Sequence, residues 1–201
     1  MTERAAEKRV NRTKRLIRDT LTELIEEKGF EGVTVRDLTE RAKINRGTFY
    51  LHYQDKYDLL EQSEDEVIKG IVQLVHEISP IEAVAYTSQN EPFPIIQKLF
   101  EYFQENANFM KVILGPKGDP AFQVKLRELI TETFLNKMAK EINSEEMMVP
   151  VEFLTTYVSA AHVGVIQHWL ETGMEKSPRE MTLILAKMTL LGPGHVAGLK
   201  K

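Results

Sequence analysis

The sequence predicts an all-α fold, and three observations lead to that prediction. Apolar residues recur at intervals of three and four along most of the chain, as they do on one face of a helix. No stretch alternates apolar and polar residues over the length of a strand, and no Asn-Gly or Asp-Gly pair marks a hairpin turn. Proline, glycine and helix-capping residues separate the periodic segments, as expected for helices joined by short turns.

The first predicted helix covers residues 13–28. Apolar residues stand at i, i+4, i+7 and i+8 from Ile17, charged residues cover the other faces, and Gly29 ends the helix. A second, short helix follows Thr34, because Thr34 and Asp37 have the spacing of a capping box. Aspartate replaces the glutamate that this box prefers.

Capping residues also place the third and fourth helices. Residues 43–45 have the composition of a tight turn, and Asn45 caps a short helix that reaches about residue 53. Asp55 caps a long helix that runs to about residue 78, before a proline. The sequence therefore predicts three helices in close succession and then a longer one.

The remaining sequence predicts a loop and five more helices. Pro80 and Pro92 favour a loop with one helical turn over residues 79–93. The later helices are expected over residues 94–106, 107–114, 120–142, 150–173 and 178–191. This pattern suggests an N-terminal three-helix domain over residues 1–55, a helical domain over residues 56–192 and a flexible tail over residues 193–201.

Charge is distributed unevenly along the chain. The whole chain has a formal net charge of −4, yet residues 1–18 carry seven Lys or Arg side chains against two Glu side chains. A basic end on an acidic body indicates that this end meets an anion. A solubilising arm is the alternative explanation.

The three N-terminal helices have the arrangement of a helix-turn-helix domain. The motif itself is a pair of helices, and the second helix of the pair lies in the major groove of DNA. The third helix is too short to be stable alone, so Phe49 and Ile44 must hold it on the first two. Arg46 stands at its start, where a guanidinium can bind O6 and N7 of guanine together, and Gly47 lets the backbone approach a groove. On the side that does not pack against the first two helices, the third helix is expected to present Arg46, Thr48, Tyr50 and Leu51.

Residues 34–60, TVRDLTERAKINRGTFYLHYQDKYDLL, resemble the TetR family of bacterial transcription regulators. The matching residues are TVRDL, ERA, RGTFY, the His-Tyr pair and the lysine of DKYDLL. The resemblance covers residues 10–60 closely and the rest only in helical layout. Two positions depart from the family pattern: Lys43 stands where glycine is frequent, and Asn45 where serine is usual. A positive φ at Lys43 would cost about 1–2 kcal/mol.

The resemblance implies roles for individual residues at DNA. Base-edge contacts would come from Arg36, Arg46, Gly47, Thr48 and Leu51. Phosphate contacts would come from Tyr50, His52 and Lys56, with Thr34 and Asn45 contributing at helix N-termini. Tyr53 is assigned to the core.

The resemblance further implies a small-molecule pocket among the later helices, where aromatic residues are frequent. An ordinary hydrophobic core is the alternative for each of these residues. The candidate pocket residues are Phe100, Tyr102, Phe103, Phe122, Tyr157 and His162.

The last two predicted helices suggest a homodimer. The helix over residues 150–173 is apolar nearly all round, so it is expected to be buried on more than one side. Two such helices from each chain would form a four-helix interface, as the family uses, although a monomeric core remains the alternative. The candidate interface residues are Tyr157, Ala160, Ala161, Gly164, His168, Ile184, Leu185 and Met188.

The sequence offers little support for an enzyme, a metal-binding protein or a membrane protein. The chain contains no cysteine, and its five histidines do not form an HExxH motif. A phosphate-binding loop and a nucleophile elbow are also missing, so we expect neither an enzyme nor a metal or cofactor site. No apolar stretch approaches the ~20 residues of a membrane span, and no signal peptide is evident, which favours a cytoplasmic protein.

The sequence therefore predicts a dimeric DNA-binding regulator, most simply a repressor that a small molecule releases from a palindromic operator. A constitutive DNA-binding dimer without a ligand is the main alternative, and an enzyme is a distant one. The operator and the ligand are not evident from the sequence.

Overall fold

The computed structural model describes residues 3–76, 78–141 and 147–199, and all regular structure within them is helical. The predicted all-α fold is therefore confirmed. The helices are α1 (Glu3–Lys28), α2 (Val35–Arg41), α3 (Arg46–Tyr50), α4 (Lys56–Val75), α5 (Pro80–Ser88), α6 (Pro94–Glu105), α7 (Ala107–Ile113), α8 (Pro120–Glu141), α9 (Val151–Glu171) and α10 (Pro178–Val196). A single 3-10 turn, Phe30–Gly32, connects α1 to α2. No helix within the described residues is both long enough and apolar enough to span a bilayer.

The chain divides into two compact units. Unit 1 contains Met1–Val67 and Asn108–Phe122, and unit 2 contains Ile68–Ala107 and Gln123–Lys201. The boundary suggested by the sequence, at residue 55, lies earlier than this division. The difference has a physical reason, because Leu59 at the start of α4 is fully buried and belongs to the core of unit 1.

The core of unit 1 holds its short helices together. The apolar stripe predicted on α1 is buried, and α1 packs against α2, which in turn packs against α3. Phe49 is the fully buried side chain of α3, whereas Ile44 in the preceding turn is only partly buried. One aromatic anchor therefore fixes a helix too short to be stable alone. The fully buried side chains of α1, α2 and α3 include Ile17, Leu21, Ile25, Leu38 and Phe49.

In unit 2, α10 packs against α6, α5 and α9. The rings of Phe100 and Phe103 meet edge to face with centroids 6.0 Å apart, and Phe100 meets Trp169 in the same way at 5.3 Å. The indole Nε1 of Trp169 donates a hydrogen bond to the carbonyl of Lys176 at 2.8 Å, so the polar edge of this buried ring is also satisfied.

One predicted loop and one predicted helix start were wrong, and the C-terminal segment continues differently after its predicted helix. The segment expected to be a loop contains α5, because Ser79 caps it through Glu82 N–H at 3.3 Å and Pro80 occupies its first turn, where proline is tolerated. Helix α1 begins ten residues earlier than predicted, at Glu3. At the other end, α10 is interrupted at Gly192, whose φ is 77°, but one more helical turn follows where the sequence suggested a flexible tail.

Candidate nucleic-acid interface

The turn between α2 and α3 is a Schellman motif. The amide of Lys43 donates to the carbonyl of Glu40 at 3.3 Å, and the amide of Ile44 donates to the carbonyl of Thr39 at 3.0 Å. This pattern requires a left-handed residue between the helix and the next extended residue, and Lys43 has a φ of 53°. The positive φ considered from the sequence is therefore present, and lysine adopts it in place of glycine.

Capping fixes the start of α2. Thr34 and Asp37 form the predicted capping box: Asp37 N–H donates to Thr34 Oγ1 at 3.2 Å, and Thr34 N–H donates to Asp37 Oδ2 at 2.9 Å. Lys28 also binds Asp37, at 2.8 Å. The Lys28 ammonium, together with the Thr34 hydroxyl and amide, lowers the pKa of Asp37 to about 2. The box therefore joins the start of α2 to the end of α1.

Capping also fixes the start of α3. The side-chain oxygen of Asn45 accepts a hydrogen bond from the Gly47 amide at 2.9 Å, as predicted for an N-cap. The remaining amides at this helix start give it a partial positive charge, which suits a phosphate oxygen. Thr34 and Asn45 are both exposed, so neither cap is covered by the rest of unit 1.

The side of α3 opposite Phe49 faces solvent. Leu51 is 81% exposed and Tyr50 is 56% exposed. An exposed leucine on a reading helix can contact the methyl group of thymine. Arg46 and Gly47 are exposed beside them, and Thr48 is partly buried. The structure thus brings the predicted base-reading residues of α3 to one exposed surface.

Gly47 has no structural requirement within the chain. A Cβ atom at this position would meet Asn45 Oδ1 at 3.5 Å, an ordinary van der Waals distance, and its φ lies outside the positive region. Glycine lowers helix stability relative to alanine. The absence of a side chain at Gly47 is therefore better explained by a surface that approaches from outside the chain.

The two tyrosines of this segment have different environments, as the sequence predicted. Tyr53 is buried, and this burial raises its pKa to about 12. Tyr50 packs edge to face on Phe49 with ring centroids 5.4 Å apart, which leaves its hydroxyl end at the surface. His52 is partly buried next to Tyr53, with ring centroids 6.2 Å apart.

Arg36 and Lys56, the other two predicted DNA contacts, already have partners in the chain. Arg36 Nε donates to Glu40 Oε1 at 2.7 Å on the exposed side of α2. An exposed pair of this kind is weak and can open when a phosphate or base competes. Lys56 is held more firmly: its ammonium donates to the carbonyls of Phe30 and Glu31, each at 3.1 Å. Its assignment to a phosphate remains a prediction, because the structure gives it a second role.

The six candidate pocket residues do not share one environment. Phe122 belongs to unit 1, where its ring lies 6.5 Å from that of Phe109, whereas the other five belong to unit 2. Phe100 and Phe103 are core residues that pack on each other, and Phe100 also packs on Trp169. Tyr157 is 53% exposed on α9. For these four residues, an ordinary position in the hydrophobic core or on the surface accounts for the observed burial and ring contacts.

The remaining two pocket candidates make specific contacts within unit 2. Tyr102 lies against α4 so closely that a Cβ atom at Gly70 would collide with its hydroxyl. His162 Nε2 lies 2.9 Å from Thr189 Oγ1, whose own proton is donated to the carbonyl of Leu185. The histidine must therefore donate through Nε2, and burial lowers its pKa to about 4. This contact joins α9 to α10.

The candidate dimer residues form an exposed surface on α9 and α10, with one exception. Leu185 is buried and belongs to the core. Phe153, which the sequence analysis missed, is 70% exposed one turn before Tyr157, and its i, i+4 spacing was the available signal. A Cβ atom at Gly164 would meet nothing within 4 Å. The exposed or partly buried members of the predicted set are Tyr157, Ala160, Ala161, Gly164, His168, Ile184 and Met188.

Two family models match the chain. The model described as bacterial regulatory proteins of the tetR family matches residues 17–62, and the model described as a transcriptional regulator C-terminal region matches residues 90–190. A curated relative, the uncharacterized HTH-type transcriptional regulator YxbF of Bacillus subtilis, is 27% identical over 55 residues. That match covers 27% of this chain and only 14% of the relative.

Solved structures share the fold at low sequence identity. A TetR-family regulator from Syntrophomonas wolfei has a TM-score of 0.65 and 18% identity, covering 94% of this chain and 97% of its own. The transcriptional regulator FadR of Bacillus subtilis, solved in complex with stearoyl-CoA, has a TM-score of 0.60 and 15% identity, covering 88% of this chain and 97% of its own. These likenesses support the helical architecture of the whole chain.

Proposed function

Because the chain belongs to the TetR family of bacterial regulatory proteins, we propose that it is a transcriptional regulator that reads duplex DNA with α3. The observation that carries this proposal is the surface of α3 itself. Phe49 anchors the helix, a Schellman turn and an Asn45 cap fix its position on α2, and its other side exposes a glycine, an arginine and a leucine. A small, weakly charged surface of this kind suits close approach to base edges.

The contacts divide by chemistry. We assign Arg46, Thr48 and Leu51 to base edges, with Gly47 providing close backbone approach and Arg36 reaching the groove once its pair with Glu40 opens. Phosphate contacts position the protein but carry no direct sequence information. We assign these to Tyr50, His52 and the capped helix starts at Thr34 and Asn45, and secondarily to Lys56.

The exposed surface of α9 and α10 supports a homodimer. Phe153, Tyr157, Ile184 and Met188 would leave a large apolar area in water in a monomer. Gly164 adds a specific reason, because glycine weakens a helix and nothing in the chain requires it there. A second copy of α9 that approaches closely would make use of the missing side chain. Two-fold symmetry then implies a palindromic operator.

The dimer is tested by Gly164→Phe. Since a Cβ atom at this position meets nothing within 4 Å, the variant should fold but should lose the close approach, so sedimentation at micromolar concentration should show a monomer. Ser88→Phe, on the exposed end of α5, is the matched control and should leave the oligomeric state unchanged. A monomeric parent chain, or a dimeric Gly164→Phe variant, would contradict the proposed interface.

We further propose that the protein is a repressor released by a small, largely apolar molecule. A dimer seated on a palindrome can block transcription by occupancy alone, with no further contact. The FadR structure was solved with stearoyl-CoA, and unit 2 of this chain buries the aromatic residues Phe93, Phe100, Phe103 and Trp169. A release factor of 5–150 requires only about 1–3 kcal/mol of coupling between the two sites. A constitutive DNA-binding dimer without a ligand is the competing proposal.

The decisive experiment is selection of bound sequences from random duplex DNA, followed by a screen for release. We expect a palindromic consensus with half-sites about 34–36 Å apart or a multiple of that spacing. Arg46→Ala should relax the preference at one position by about 1–3 kcal/mol, whereas Arg127→Ala, an exposed arginine of α8, should not. No enriched sequence would refute the proposed function. Tight operator binding that no compound in a library including acyl-CoAs reverses would favour the ligand-free alternative.

A further inference from the structure

The first half of α1 is not used by the interface described so far. Residues 3–16 precede the segment that the N-terminal family model matches, yet α1 runs without interruption from Glu3 to Lys28. The residues from Glu7 to Arg12 are all exposed. This part of the helix therefore extends beyond the hydrophobic core that begins at Ile17.

One side of this extension is basic. Lys8 and Arg12 stand four residues apart, and Arg15 follows three residues later, so these three positions lie on one face. Like charges at this spacing repel one another and destabilise an isolated helix. A polyanion lying along this face would relieve this repulsion.

Contacts further along α1 place the extension near the end of the reading helix. Lys14 Nζ lies 5.8 Å from the centroid of the Tyr53 ring and 3.5 Å from Gln62 Oε1. Tyr53 follows α3 almost directly, and its ring also neighbours that of His52. From Lys14 back to Glu3, α1 extends by about 16 Å at 1.5 Å per residue, which is about half a turn of B-DNA.

We propose that the basic face of α1 formed by Lys8 and Arg12 binds backbone phosphates of the DNA that flanks each half-site. This inference rests on the proposed function and adds a second contact region to it. The contact is electrostatic and carries no direct base preference, so it contributes affinity and salt dependence, not sequence choice. Residues 3–12 offer only alanine and valine as apolar side chains, which is too little for a helix that inserts into a membrane surface.

The test compares two lengths of duplex containing the selected operator: one that ends at the half-sites and one with ten or so extra base pairs on each side. The full chain and the Lys8→Gln/Arg12→Gln variant are titrated by fluorescence anisotropy over a range of KCl concentrations. Glutamine keeps helix propensity close to that of lysine and arginine, which circular dichroism verifies. Lys69→Gln/Lys98→Gln, two exposed lysines of unit 2, is the control with the same change of charge.

On the long duplex, the log–log salt slope of the parent chain should exceed that of the double variant. The difference is about 0.9 for each lost phosphate contact, hence about 3–4 for four side chains in a dimer. On the short duplex the two slopes should agree, and the selected consensus should be the same for both proteins. The control variant should match the parent chain on both lengths.

Equal slopes for the parent chain and the double variant on the long duplex would overturn the inference while leaving operator binding intact. A changed consensus in the double variant would also overturn it, because the face would then be reading bases. If neither duplex is bound specifically by the parent chain, the proposed function itself fails, and this inference fails with it.

Discussion

The sequence assigned Lys56 to a DNA phosphate, but the contacts of its side chain in the structure predict a different role, in the stability of the fold. Its side chain is only 14% exposed. The ammonium donates to the carbonyls of Phe30 and Glu31 and lies 4.7 Å above the ring of Phe30 and 5.1 Å from that of Tyr57. These carbonyls belong to the 3-10 turn between α1 and α2, in which the Phe30 carbonyl also accepts a hydrogen bond from the Val33 amide at 3.1 Å. Lys56 therefore acts as a cap for that turn.

The magnitude follows from these contacts. Hydrogen bonds to a charged group contribute about 1.5–3 kcal/mol, and a cation over aromatic rings adds about 0.5–1 kcal/mol. The neighbouring Glu31 is exposed, so water can replace part of what is lost. We expect Lys56→Met, which keeps the aliphatic stem over Phe30, to lower the free energy of unfolding by about 2 kcal/mol.

Urea denaturation of the full chain without DNA measures this effect at a fixed protein concentration. Lys98→Met, at an exposed position of α6, is the control and should change stability by no more than about 0.5 kcal/mol. A loss below that value for Lys56→Met would refute the capping role. If stability were unchanged while the salt slope of operator binding fell by about 0.9 per protomer, Lys56 would instead be a phosphate contact alone.

Three further predictions concern Lys43, Gly47 and His162. Lys43→Gly should raise the free energy of unfolding, measured with urea, by about 0.5–1 kcal/mol. The substitution relieves the strain of the positive φ, and the greater flexibility of the unfolded chain offsets part of this gain. A loss of stability would contradict this reasoning. Gly47→Ala should leave stability equal or higher by about 0.5–1 kcal/mol yet weaken operator binding at least tenfold, and unaltered binding would show that no DNA backbone approaches there. Burial lowers the pKa of His162 to about 4 from an ordinary 6.5, so the unfolded chain binds the proton more readily between these values and stability falls as the pH drops through that window. Between pH 7.5 and pH 5, the free energy of unfolding of the His162→Gln variant should fall by about 2 kcal/mol less than that of the parent chain. Equal losses in the two proteins would show that the imidazole is in solvent.

Helices with a buried apolar stripe were predictable from the sequence, whereas the first part of α1 and the whole of α5 were not. Ile17 and its periodic partners located the buried half of α1, but residues 3–12 have no apolar stripe. That part is helical through local propensity, which a search for periodicity does not detect. Helix α5 was missed for a related reason: Pro80 was taken as a breaker, although proline at the start of a helix stabilises its first turn.

Within the candidate site, features set by neighbouring residues were predictable from the sequence, whereas features set by tertiary packing were not. The capping box at Thr34, the cap at Asn45 and the positive φ at Lys43 are all set by neighbours within a few residues, so spacing alone could indicate them. The environment of Lys56 depends on a turn 25 residues away in sequence. The burial of Leu185, one residue from the exposed Ile184, likewise depends on how α10 is rotated against its neighbours.

The structure of α3 separates the residue that holds the helix from those that face outward. Phe49 is fully buried, and truncating a buried phenylalanine costs about 3–5 kcal/mol. Arg46 and Leu51 are exposed to solvent, where substitutions change stability by about 0.5 kcal/mol or less. Because the two sets do not overlap, base preference can change without loss of the fold. A short helix fixed by one aromatic side chain, the preceding Schellman turn and the Asn45 cap therefore leaves its exposed residues free to vary.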